Sequence, residues 1–191
     1  MNQHGILCSV MHRMFIAIPI SEDAKKAALE AQEQLKEMFK YSRITWVDFS
    51  QFHITLHFLG DIDDSMLIDL RNRLREALCP DSFKLHLTDV SCFPSPKEPR
   101  TIFVEASHHP FSIILRKRIA DVLVGMGIDI DARPWKAHIT VGRVKTQSEV
   151  CVTEKLRVEP VEFIVDRFDL YESQLMPNGP IHTLVESYKL K

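Results

Sequence analysis

Several features that mark common protein classes are missing from this sequence. Its 191 residues contain no apolar run near the roughly 20 residues that a membrane-spanning helix needs, so we expect no membrane partner. The four cysteines stand far apart and never form a C-x-x-C pair, which argues against a zinc knuckle or a disulfide framework. They are Cys8, Cys79, Cys92 and Cys151. Reduced thiols in a cytoplasm fit this pattern best.

An excess of positive charge is also missing. The formal net charge is −2, whereas proteins that track long stretches of nucleic acid usually carry many more Lys and Arg than Asp and Glu. A small ligand or the end of a nucleic acid remains open as a partner, and no obligate protein partner is evident.

The length and the apolar content predict one compact domain. At 45% hydrophobic residues the chain can bury a substantial core. The regular pattern begins at Met14, so we predict a single domain over 14–191. Residues 1–13 lack the charged start and long apolar run of a signal peptide and are predicted to be an N-terminal extension.

The order of predicted elements repeats once along the chain. In the first half a strand at 15–18 leads to a helix capped by Ser21, then to strands at 44–47 and 52–59 and a helix from Asp63. The second half repeats strand, helix, strand, strand, at 101–106, about 110–124, 127–131 and 137–144.

This repeat predicts an α+β fold of two pseudo-symmetric lobes. Further strands are expected at 83–90, 161–171 and 181–190, which would give each lobe an antiparallel sheet covered by helices on one face. We predict an active site in the cleft between the lobes. The segment 145–159 reads as a loose connection.

Each half contains one tetrad of the form His, apolar, Thr, apolar. The tetrads are His53-Ile54-Thr55-Leu56 and His138-Ile139-Thr140-Val141, at matching positions of the repeat. Because residues two apart on a strand point to one face, each histidine projects with its threonine while the apolar residues face the helices.

Two histidines and two threonines around one cleft suit acid–base chemistry on a phosphate. A histidine near its ordinary pKa of about 6.5 can serve as base when neutral or as acid when charged. Threonine hydroxyls can donate hydrogen bonds to the non-bridging phosphate oxygens. His53 and His138 are therefore the candidate catalytic residues, with Thr55 and Thr140 as candidate substrate-binding residues.

The sequence resembles the two-histidine phosphoesterase superfamily, and within it the bacterial and archaeal RNA 2′,3′-cyclic phosphodiesterases, formerly described as 2′-5′ RNA ligases. The resemblance runs from Met14 to about residue 190. It is carried by MFIAIPIS, the two H-x-T strands, FPSPKEPR, RPWKAHITVGRV and LYESQLMPNGP. The extended signatures H-x-T-x-x-F and H-x-T-x-x-R end here at Phe58 and Arg143.

The resemblance implies a role for each of these residues. It makes His53 the general acid that protonates the ribose 3′ oxygen and His138 the base that activates water. Arg143 would hold the phosphate, and Phe58 would stack on the terminal base. The product would be a 2′-phosphate, formed on an RNA end or a small cyclic nucleotide without a metal or cofactor.

The five-residue spacing from each histidine to Phe58 or Arg143 conflicts with simple strand alternation. Strict alternation would place both residues on the face opposite the histidines. Gly142 could permit a bulge, or the strand could end before Arg143, whereas the sequence around Phe58 offers only the strand end at Gly60.

Other interpretations of the histidines stay open. His57 lies on the predicted face of His53 and could touch substrate, whereas His86, in a third H-x-T triplet, reads as an ordinary strand residue. A metal site lacks the third histidine or carboxylate that zinc or iron would need. The alternative functions are 2′-5′ RNA ligation, a related cyclic nucleotide phosphodiesterase and a nucleotide-binding module without catalysis.

Overall fold

A computed structural model of the chain describes residues 10–77, 79–145, 156, 158–176 and 179–191. These residues form helices and antiparallel strands in an α+β arrangement, as the sequence predicts. Their order is β1 (Met11–Pro19), α1 (Glu22–Met38), β2 (Ile44–Trp46), a 3₁₀ turn (Phe49–Gln51), β3 (His53–Asp63), α2 (Asp64–Glu76), β4 (Phe83–Ser95), β5 (Glu98–Ala106), α3 (Pro110–Gly125), β6 (His138–Val144), β7 (Glu162–Val165), β8 (Arg167–Met176) and β9 (Gly179–Lys189).

The strands form two four-stranded halves that meet in the middle of one antiparallel arrangement. The order across it is β7-β4-β5-β6-β3-β1-β8-β9, and the short β2 pairs with β6. The first lobe is β3-β1-β8-β9 and the second is β6-β5-β4-β7, which confirms the predicted pair of lobes. The junction is the antiparallel pair β3 and β6.

The helices form where apolar periodicity and capping residues predict them. Ser21 accepts a hydrogen bond from the backbone N–H of Ala24 and begins α1, and Asp63 does the same for Met66 at the start of α2. Each helix buries one apolar stripe against the sheet. The most buried side chains of these stripes are Ala24, Ala28, Ala31, Leu35, Leu70, Leu74, Leu115, Ile119 and Leu123. Among the described residues, no helix is both long and apolar enough to cross a bilayer.

The predicted strand at 127–131 is absent, and the prediction was wrong. The corresponding element of the first repeat unit, β2, pairs with β6. In the second lobe side chains take the place of such a strand. Arg116 donates to the backbone oxygen of Asp131, and Trp135 Nε1 donates to the backbone oxygen of Thr55 in β3 at 2.9 Å. These two backbone oxygens are thus bonded without a ladder.

Other boundaries also differ from the predictions. The predicted strand at 161–171 is two strands, β7 and β8, which separate at Asp166. β1 begins at Met11, so residues 11–13 belong to the sheet and pair with 61–63. His12 there contacts Asp64 and Glu172 at 2.9 Å each. The rest of the predicted extension, residues 1–9, and most of the predicted connection at 145–159 lie outside the described residues, as do Cys8 and Cys151.

Candidate active site

The two predicted catalytic histidines begin the two central strands. His53 is the first residue of β3, and His138 is the first residue of β6. Both are partly exposed on one face of the sheet, whereas Ile54 and Ile139 beside them are fully buried on the other. Because Ile54 lies opposite Ile139 across the junction of the lobes, the two imidazoles enter one cleft.

The threonines of the tetrads lie in the same cleft. The antiparallel register aligns Thr140 with His53 and Thr55 with His138. Both threonines are partly exposed, as strand alternation predicts. Thr55 Oγ1 lies 3.1 Å from His53 Nε2, within hydrogen-bond distance.

Both imidazoles are held in the same way by the backbone that precedes them. His53 Nδ1 lies 2.7 Å from the backbone oxygen of Gln51, and His138 Nδ1 lies 2.7 Å from that of Lys136. A carbonyl oxygen only accepts, so each Nδ1 carries a hydrogen and donates it. Each Nε2 is therefore the atom that gains or loses a proton.

Equivalent aromatic side chains support the two rings. The ring centroid of Phe15 lies 5.0 Å from that of His53, and Phe103 lies 4.8 Å from His138. Both phenylalanines are buried, with exposed fractions of 2% and 0%. Their positions in β1 and β5 correspond in the two lobes, so the pseudo-symmetry extends to the surroundings of the catalytic pair.

A β-bulge in β3 returns Phe58 to the face of the histidines. The pairing with β1 shifts between Ala17 opposite Thr55 and Ile16 opposite His57, which leaves Leu56 as the extra residue. Leu56 and His57 are both buried, and Phe58 is 66% exposed. The bulge reverses the alternation, so the conflict with the five-residue spacing is removed.

A matching bulge in β6 does the same for Arg143. Ile102 of β5 pairs with Gly142, whereas the next residue, Phe103, pairs with Thr140, which leaves Val141 as the extra residue. Val141 is buried, as is Gly142, and Arg143 is exposed on the face of the histidines. The predicted bulge near Gly142 is confirmed.

The same bulge turns His57 away from the cleft. His57 is 3% exposed, and its Nε2 lies 2.9 Å from the backbone oxygen of Arg116. The expectation that His57 shares the face of His53 is therefore wrong, because it rested on uninterrupted alternation. His86 is an exposed residue of β4, as its interpretation as an ordinary strand residue predicts.

A third imidazole, which the sequence pattern did not reveal, lies beside His53. The ring of His182 is 5.6 Å from that of His53 and 4.7 Å from that of Phe15, edge-on to both. Its buried Nδ1 has no hydrogen-bond partner among the described residues. His182 reaches this position because β9 pairs with β8 and β8 with β1, a register that has no local signal in the sequence.

The cleft favours neutral imidazoles. Burial, with smaller contributions from the charges of His182, His138 and Arg143, lowers the pKa of His53 to about 4. Burial also lowers the pKa of His138, and the cations Arg143 and Lys136 lower it further. Both shifts arise from burial and nearby positive charges, which the spacing of the tetrads does not indicate.

Both tetrads lie within the part of the chain that matches a known protein family. A family model described as LigT like phosphoesterase matches residues 18–103 and 113–182, which include both histidines and Arg143. The chain belongs to the LigT like phosphoesterase family.

Two curated relatives illustrate how far the similarity to this LigT like chain extends. The RNA 2′,3′-cyclic phosphodiesterase of Thermotoga maritima is 31% identical over 176 residues, 91% of this chain and 92% of that protein. The protein of the same name from Methanocaldococcus jannaschii is 31% identical over 181 residues, 92% and 99% of the two chains.

Solved structures show the same fold. TT0787 of Thermus thermophilus superposes with a TM-score of 0.82 at 26% identity, covering 93% of this chain and 97% of that one. E. coli LigT complexed with 3′-AMP has a TM-score of 0.75 at 20% identity, with coverage of 95% and 99%.

No metal-binding cluster is evident in the described part of this LigT like chain. No group of three or more His, Cys, Asp or Glu side chains converges there in a way that could hold a metal ion.

Gly142 gives the bulge in β6 a direct test. A Cβ added there would lie 3.0 Å from two ring atoms of Trp46 and 3.1 Å from the side chain of Ile44, closer than ordinary van der Waals contact, so these neighbours or the strand must shift by a few tenths of an ångström. We predict that Gly142→Ala lowers the free energy of unfolding by about 1–3 kcal/mol and lowers activity, because the shifted strand carries Arg143.

Gly125→Ala is the matched control, because a Cβ at Gly125 meets nothing within 4 Å. Thermal unfolding and kcat/KM should be near those of the parent protein in this variant. Equal behaviour of the two variants would contradict the close packing of Gly142 against Trp46.

Proposed function

We propose that the chain opens RNA 2′,3′-cyclic phosphates by general acid–base catalysis, with His53 and His138 as the proton-transferring residues. The observation that carries this proposal is the matched geometry of the two imidazoles. Each Nδ1 donates to a backbone oxygen, which leaves each Nε2 for proton transfer at the shared cleft.

The activity predicted from the sequence is confirmed by the relatives. Curated proteins that match more than nine-tenths of this chain are RNA 2′,3′-cyclic phosphodiesterases, and the family model agrees. The roles of individual residues and the position of the new phosphate belong to the proposal. The cytoplasmic location stays a prediction.

The proposed reaction consists of one displacement at phosphorus. His138 Nε2 takes a proton from water as its oxygen attacks the phosphorus in line with the 3′ oxygen. The bond from phosphorus to the 3′ oxygen breaks, and protonated His53 Nε2 gives its proton to that oxygen. The product is a 2′-phosphate with a free 3′ hydroxyl, and the two histidines exchange protons with solvent before the next turnover.

The other residues of the cleft act on the substrate's charge and on its base. Negative charge grows on the non-bridging oxygens in the transition state, where Arg143 with Thr55 and Thr140 can donate hydrogen bonds. Phe58 offers an exposed aromatic face next to Phe15, with ring centroids 6.1 Å apart, which suits stacking by the terminal base.

Replacement of either histidine tests the proposal directly. His53→Ala and His138→Ala should each lower kcat by about 10²–10⁴ on an oligonucleotide that ends in a cyclic phosphate, with little change in thermal stability. His86→Ala is the control, because His86 is an exposed strand residue outside the cleft.

Identification of the product termini and an assay with a metal chelator complete this test. The product should carry a 2′-phosphate, and exhaustive chelation should leave the rate unchanged. Normal turnover by a folded His138→Ala protein, or activity that is lost on chelation and restored by zinc or manganese, would contradict the mechanism.

The lowered pKa values predict different pH profiles for the free and the substrate-bound protein. The profile of kcat/KM reports the free protein, so both of its limbs should lie below pH 6.5. The anionic phosphate next to His53 stabilises the charged imidazole and raises its pKa. The alkaline limb of kcat should therefore lie at higher pH than that of kcat/KM.

Steady-state kinetics between pH 4 and 9 measure both profiles. Because the two histidines interact, the apparent pKa values of each pH profile belong to the pair and cannot be assigned to one residue. The informative comparison is therefore between the profile of kcat and that of kcat/KM. Coincident alkaline limbs for kcat and kcat/KM would show that bound phosphate does not supply the charge that keeps His53 protonated.

A further inference from the structure

Three exposed basic side chains lie along the paired stretch of β2 and β6. Thr45 of β2 lies opposite Arg143 of β6. Two residues further along each strand, the backbone N–H of Lys145 donates to the backbone oxygen of Arg43 at 2.8 Å. Arg43, Arg143 and Lys145 are all exposed, and we call these three residues the basic strip.

The basic strip lies on the same face of the sheet as the catalytic cleft. Ile44 and Trp46 of β2 contact the position that a Cβ of Gly142 would occupy, and both pack against the buried core. Alternation then places Arg43 on the opposite, cleft side of β2. Val144 of β6 also packs against the core, so its neighbours Arg143 and Lys145 face the cleft side as well.

Among the described residues, no paired carboxylate balances the charge of the basic strip. None of its three residues forms an ion pair with a carboxylate in the described part of the chain. Other cations of the surface are paired, such as Arg71 and Arg75 with Glu186. Because the whole chain has a net charge of −2, the strip is a local positive surface.

We propose that Arg43 and Lys145 bind backbone phosphates on the 5′ side of the cyclic end, so that the preferred substrate is an RNA chain and not a cyclic mononucleotide. This inference rests on the proposed function, because it takes the cyclic phosphate to sit at Arg143 and the two histidines.

Spacing and chemistry both fit an RNA strand that leaves the cleft along β6. Two residues along a strand span roughly 7 Å, so Lys145 lies about one extended nucleotide beyond Arg143. Guanidinium and ammonium groups form charge-assisted hydrogen bonds with phosphate and release bound counterions, without regard to base sequence. A cyclic mononucleotide without a 5′ phosphate reaches only the cleft.

A double substitution separates the two kinds of substrate. In Arg43→Gln/Lys145→Gln, kcat/KM for a short oligonucleotide ending in a 2′,3′-cyclic phosphate should fall about tenfold. For a nucleoside 2′,3′-cyclic phosphate it should change less than about twofold. The slope of log kcat/KM against log salt for the oligonucleotide should become shallower by about 0.7 for each cation removed.

Lys117→Gln/Arg118→Gln is the matched control. These residues are exposed cations of α3 and also form no ion pair within the described residues. The control removes the same charge from the helical layer, and its kcat/KM for the oligonucleotide should equal that of the parent protein. Equal losses in the two double variants would mean that overall charge, and not the basic strip, attracts the RNA.

Equilibrium binding keeps this test independent of turnover. A labelled oligonucleotide that ends in a 2′-phosphate, the proposed product, should bind about tenfold more weakly to Arg43→Gln/Lys145→Gln than to the parent protein in fluorescence anisotropy. Equal affinity, or an equal loss of turnover on the mononucleotide, would overturn the proposal. If the parent protein bound the oligonucleotide through the basic strip but did not hydrolyse the cyclic phosphate, the proposed function would be contradicted. The inferred binding of RNA phosphates by Arg43 and Lys145 would still be supported.

Discussion

Each of the two bulges that shape the cleft is held by a helix from the other half of the sequence repeat. Gln32 of α1, which follows β1, donates to the backbone oxygen of Val141 in the bulge of β6 at 2.8 Å. Arg116 of α3, which follows β5, donates to the backbone oxygen of Leu56 in the bulge of β3, and its own backbone oxygen contacts His57. These contacts between the two repeat units support the local irregularities that direct Phe58 and Arg143 into the site.

The pseudo-symmetry of the lobes explains why two similar imidazoles lie in the cleft. Differences between the surroundings of the two imidazoles explain how one can act as acid and the other as base. Both rings donate from Nδ1 to the backbone and rest on a buried phenylalanine. His182 packs beside His53, whereas Lys136 acts on the charge of His138. In the empty cleft, burial disfavours the charged imidazole of His53. When the anionic substrate binds, its charge raises the pKa of His53 and favours the protonated form that acts as the acid.

Much of this arrangement could be predicted from the sequence because it depends on local periodicity. The paired tetrads fixed the face of His53 and His138, and capping residues such as Ser21 marked where helices begin. The faces of His57 and Phe58 could not be predicted, because the bulge at Leu56 that precedes them is bonded to Arg116, which lies far away in the chain. The place of His182 depends on sheet register, and the missing strand at 127–131 depends on tertiary hydrogen bonds of Arg116 and Trp135.

Replacement of the 3′ leaving oxygen by sulfur tests the division of labour between the histidines most directly. A thiolate leaves without protonation, so the sulfur substrate removes the need for a general acid but not for a general base. Single-turnover rates of His53→Ala and His138→Ala should be compared on the oxygen and sulfur substrates. The account predicts that the sulfur substrate restores His53→Ala to within about tenfold of the parent rate and leaves His138→Ala impaired. Rescue of His138→Ala, or of neither variant, would contradict it.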